Sequence, residues 1–207
     1  MNISEASKPF VETAWKTAAE ALRDRGEVLN FAVFVNREKR AIVYVPAAQA
    51  REDQFSSLLA MIALAQNDEV PHGAPEGVCN AIRSMTADFK AQGELTRPDL
   101  VVHAAEAWMV NIDLKNPSFE DVLTLVAGSV GVGTVSQHPR RTEVVIVGWK
   151  SKDGEMGHQV RKLLRDKDGK PSLGEFLNGD RMGMFNEKIL GNVFYNDKAP
   201  DEDVTKH

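Results

Sequence analysis

Apolar and polar positions divide the chain into blocks with helical and strand periodicity. From about Ser7 to Arg25, Val11, Trp15, Ala18 and Leu22 recur on one helical face, with Ser7 as a candidate N-cap, Pro9 in the first turn and Gly26 as the stop. Two β-branched and aromatic runs, Phe31 to Val35 and Ala41 to Val45, flank the polar turn Asn36-Arg37-Glu38-Lys39-Arg40 and predict a hairpin. Helical spacing returns from about Glu52 to Gln66 through Phe55, Leu58, Leu59, Ile62 and Ala63. It returns again from about Glu76 to Gln92 through Val78, Ile82, Met85 and Phe89, with Gly93 closing the segment. Leu100 to Val110 reads as a buried strand, followed by a short helix carrying Phe119, Val122, Leu123 and Val126 behind a Ser118 cap. Two more strands, Thr142 to Lys150 and about Glu155 to Leu164, meet at a turn containing Asp153-Gly154.

Strands arranged in hairpins with helices grouped between them predict an α+β fold: an antiparallel sheet of about five strands, helices packed mainly on one face, and an N-terminal helix. Residues 1–198 form one domain in this reading, with a flexible insertion at about 112–135 that includes the glycine-rich run Gly128 to Thr134. Residues 199–207, charged and nearly free of apolar side chains, read as a disordered tail.

Composition narrows the function. The chain has 207 residues, 43% of them hydrophobic, and a net charge of −5, which argues against a surface devoted to nucleic acid. Cys79 is the single cysteine, which rules out an internal disulfide and fits a reducing compartment. With neither a signal-like N-terminus nor a membrane-length apolar run, the expected location is the cytoplasm, without membrane contact.

Glu106 and Trp108 lie two residues apart on the same face of a mostly apolar strand, and the carboxylate there needs a partner. His138-Pro139-Arg140-Arg141 runs directly into the strand on which Glu143, Val145, Val147 and Trp149 share a face. Antiparallel pairing of the two strands would bring Arg140 or Arg141 toward Glu106. One reading is a polar site with Glu106, His138, Arg141 and Glu143 as catalytic candidates and Trp108 and Arg140 as ligand-binding candidates. The other, placed ahead of it, is an internal ion pair that sets strand register, with Trp108 filling the core. His103 falls on the opposite face from Glu106.

No cofactor or metal is expected. The histidines lack metal-ligand spacing, the glycine-rich run fits neither phosphate-loop pattern, and Asp166-Lys167-Asp168-Gly169 places its glycine too early for a calcium loop. There is no nucleophile elbow, and Cys79 sits beside an apolar stripe. Nucleic-acid contact rests only on Arg37, Lys39 and Arg40 at the hairpin tip and on Arg161, Lys162, Arg165 and Lys167, without interleaved aromatics.

Glu106-Ala107-Trp108-Met109, then His138 to Val145, Asp153-Gly154, and Arg165-Asp166-Lys167-Asp168-Gly169-Lys170-Pro171-Ser172-Leu173-Gly174-Glu175 resemble a group of small proteins encoded by bacteria and their phages. The likeness covers roughly the middle and later half of the chain, and the insertion from Ile112 to Val135 departs from it. It implies an α+β fold and a bacterial or phage setting, and it assigns no activity. The leading expectation is a non-enzymatic binding or accessory protein with a protein partner. The alternatives are a small hydrolase or ligand-binding domain around Glu106 and Arg141, and a virion or tail component. The oligomeric state is open.

Overall fold

A computed structural model describes residues 3–39, 41–46, 52–110, 112, 115–129, 135, 138–177, 190 and 193–194. Residues 130–134 of the glycine-rich run, most of the segment between 110 and 115, Arg40 at the hairpin tip, and the 199–207 tail lie outside that set. The elements are α1 (Lys8–Arg25), β1 (Phe31–Asn36), β2 (Ala41–Pro46), α2 (Glu52–Asn67), α3 (Glu76–Gln92), β3 (Leu100–Met109), α4 (Phe119–Ser129), β4 (Thr142–Ser151), β5 (Met156–Arg165) and β6 (Pro171–Phe176). The fold is α+β, with one six-stranded antiparallel sheet in the order β2-β1-β3-β4-β5-β6.

The sixth strand exceeds the expected count by one. Periodicity weakens after Arg165, yet the Asp166 turn reverses the chain and lets Pro171–Phe176 pair with β5. The Asp166 carboxylate accepts the backbone N–H groups of Asp168 and Lys170, at 2.9 and 2.8 Å, and Gly169 takes the left-handed φ of 78° that closes this turn.

Each face of the sheet has its own core, because alternate strand residues point in opposite directions. On one side, Val11, Trp15, Ala18 and Leu22 of α1 pack on Phe31, Val35, Leu100, Val102, Ala104, Val145, Val147, Trp149 and Leu163. On the other, Phe55, Leu59, Ile62 and Ala63 of α2 pack on Ala32, Phe34 and Val101, joined by Leu190, Val193 and Phe194 from late in the chain. The Val145, Val147 and Trp149 face expected from sequence is thus the floor beneath α1. Val78 departs from the expected α3 stripe and is exposed, whereas Ile82 is buried.

Ser7 was expected to cap α1 by a side-chain hydrogen bond to the helix's own amides, and it makes none. Its hydroxyl donates instead to Glu155 Oε2 at 2.8 Å, because the β4–β5 turn brings that acceptor closer. Glu155 also accepts from the Ser4 hydroxyl at 2.7 Å and the Ser4 amide at 2.9 Å. Arg37 joins the same knot, with Nε 3.0 Å from Asp99 and Nη2 3.2 Å from Asp153. These bonds tie the start of α1, the exit of β1, the entry to β3 and the β4–β5 turn at one end of the sheet.

Candidate functional site

Along β3, Leu100, Val102 and Ala104 enter the α1 core, and Glu106 is the next residue on that face. The core has ended there because α1 stops at Gly26, whose left-handed φ of 81° turns the chain back toward β1. The turn aims the Val28 amide at Glu106, whose Oε1 accepts it at 2.6 Å. Half-burial raises the Glu106 pKa above its ordinary value; the Val28 N–H and the more distant Arg165 oppose the rise, and Glu143 and Glu27 reinforce it.

Arg140 and Arg141 were the expected counter-charges, and neither fills that role. β3 and β4 do pair antiparallel, with Glu106 opposite Val145 and Trp108 opposite Glu143. Arg141, just before β4, lays its guanidinium 4.9 Å from the centre of the Trp108 ring, and Arg140 turns toward α4. Glu143 forms a two-pronged pair with Arg165 of β5, at 2.9 and 3.0 Å. Trp108 is 41% exposed, so it does not fill the core as the register reading required.

The Glu106 pKa fixes the sign of a stability test. Between the unfolded value of 4.5 and its raised folded value, the native state holds more protons, so stability from this group falls as pH rises through that window. At neutral pH the ionised carboxyl opposes folding, and Glu106→Gln removes the charge but keeps an acceptor for Val28. We expect Glu106→Gln to leave the melting temperature at pH 7 unchanged or raised, and Glu106→Ala to lower stability by about 1–2 kcal/mol through the orphaned Val28 N–H. Thermal melts of both variants from pH 4 to pH 8 check this, and a large loss in the Gln variant contradicts it.

His138 belongs to a second cluster. Its Nδ1 accepts the Arg140 amide at 3.1 Å, so Nε2 carries the proton and donates to Asp121 Oδ1 at 3.1 Å. Asp121 sits in the first turn of α4, where Ser118 and Asp121 cap each other: the Ser118 amide donates to Asp121 Oδ2 at 2.8 Å, and the Asp121 amide donates to the Ser118 hydroxyl at 3.2 Å. The Arg140 guanidinium donates to both oxygens of the same carboxylate. The Ser118 amide foremost, with Arg140, lowers the Asp121 pKa to about 2 against the opposing effect of burial. With His138 and Asp121 buried and the nitrogens and oxygens of both occupied, this cluster is a clamp on the start of α4, closed to a substrate.

Among the described side chains of α4, those of residues 119–124, the ones that face inward are polar. Asp121 and Thr124 face inward, while Phe119, Val122 and Leu123, spaced i, i+3, i+4, are 73%, 43% and 50% exposed. The sequence supplied the Ser118 cap and the apolar spacing of this helix. Asp121 was missed, although Ser118-x-x-Asp121 is a capping-box spacing.

The four catalytic candidates are therefore divided, with Glu106 and Glu143 on the α1 face of the sheet end, Arg141 over Trp108, and His138 with Arg140 beneath α4. His103 is fully buried on the opposite face, its ring 5.3 Å from that of Phe55. The cations invoked for nucleic acid are largely engaged: Arg37 by Asp99 and Asp153, Lys162 by Glu175 at 2.7 Å, Arg165 by Glu143, and Arg161 by the Gly174 carbonyl at 2.8 Å. Arg40 lies outside the described residues. Among the described residues no group of three or more His, Cys, Asp or Glu side chains is placed to hold a metal ion, and no helix is long and apolar enough to cross a membrane. No protein-family model, curated protein or solved structure matches the chain.

Proposed function

We propose that the chain is a non-enzymatic binding protein, an accessory factor of bacterial or phage origin, whose partner is a protein seated on the outward stripe of α4. The observation that carries this reading is the exposure of three large apolar side chains on the first turns of the helix. An isolated helix of this length gains most of its stability from burying an apolar face, yet this one buries a carboxylate in a saturated network and presents Phe119, Val122 and Leu123 to solvent. Three anchors spaced i, i+3, i+4 suit an apolar groove, and the exposed Glu120 beside them suits a cationic residue on the rim of that groove.

The test combines Phe119→Ser with Leu123→Ser. Both side chains are exposed, so the double variant should keep the parental melting temperature within about 2 °C, as surface substitutions generally do. A partner recovered from bacterial lysate, then purified and titrated, should bind the variant at least about tenfold more weakly. Equal binding by the variant overturns the proposal.

A ligand-binding or hydrolytic reading of Glu106 draws support from its raised pKa and from the accessible Trp108 beside it. It requires Glu106→Gln to abolish binding or turnover while the fold is kept. The α4 reading requires Glu106→Gln to bind the partner as the parent does.

A further inference from the structure

We draw no further inference here: the strongest candidate, the side-chain cluster of Glu106, Trp108 and Arg141 at the end of the sheet beyond α1, belongs to the site already described, and nothing in the structure shows what covers its exposed indole.

Discussion

Replacing Gly157 with alanine is expected to lower stability by about 2 kcal/mol, the middle of the range for overpacking a filled core, which in a chain of this size shifts the melting temperature by roughly 4–8 °C. Gly157 lies on β5 directly opposite Trp149 of β4, and the indole lies across the space a side chain would need. A Cβ built there would stand 2.8 Å from Trp149 Cε2 and closer still to Cζ2, well inside van der Waals contact. Trp149 cannot yield easily, since it is buried among Leu100, Val102 and Val147 under α1. A double-mutant cycle identifies the cause. Cζ2 and the atoms beside it belong to the part of the indole that phenylalanine lacks, so Trp149→Phe should recover part of the loss when combined with Gly157→Ala. Additive losses would place the cost elsewhere.

The second large effect is a loss of stability on mild acidification, traceable to His103. Burial lowers its pKa from 6.5 to about 3, so the folded state keeps the ring neutral over a range in which the unfolded state protonates it. The unfolded chain then binds more protons, and stability falls as pH drops below 6.5 and continues to fall until the folded value is reached. At about 1.4 kcal/mol per pH unit, the window from pH 6.5 to 4.5 alone accounts for roughly 2.5 kcal/mol. Carboxylates held low in the fold, Asp121 at about 2 and Glu155 below its ordinary value, add their own losses at lower pH, once the unfolded groups begin to protonate. Glu106 works in the opposite direction across part of the same window, so the slope is read most cleanly in the Glu106→Gln background. Urea unfolding there should show a midpoint that declines from pH 6.5 to 4.5, and His103→Leu should flatten it. An unchanged slope in His103→Leu would assign the acid sensitivity to other groups.

The clamp on α4 connects these energetics to the proposed function. Phe119, Val122 and Leu123 on the first turns of α4 forgo the burial that normally holds a helix down, and the Ser118, Asp121, His138 and Arg140 network anchors the helix start.

Alternation and helical spacing in the sequence were enough to determine the two hairpins β1–β2 and β4–β5, the four helices, and the placement of His103 on the face away from Glu106, whereas the antiparallel pairing of β3 with β4, only a condition in the sequence reading, came from the structure. The first group depends on periods of 2 and 3.6, which are properties of consecutive residues. The partners of the polar groups were not determined in this way. Glu106 found an amide released by the αL turn at Gly26, Arg140 found a carboxylate 19 positions away, and Ser7 left its own helix for Glu155. Each choice was settled by which partner, donor or acceptor, the packed elements brought within 3 Å, and sequence separation carries no information about that distance. The same holds for β6, whose weak pattern became a strand because β5 offered it an open edge, and for the first turns of α4. Periodicity identified its apolar spacing, and only the tertiary structure decided that Asp121 is buried while Phe119, Val122 and Leu123 face solvent, because the His138 and Arg140 partners of Asp121 come from elsewhere in the chain.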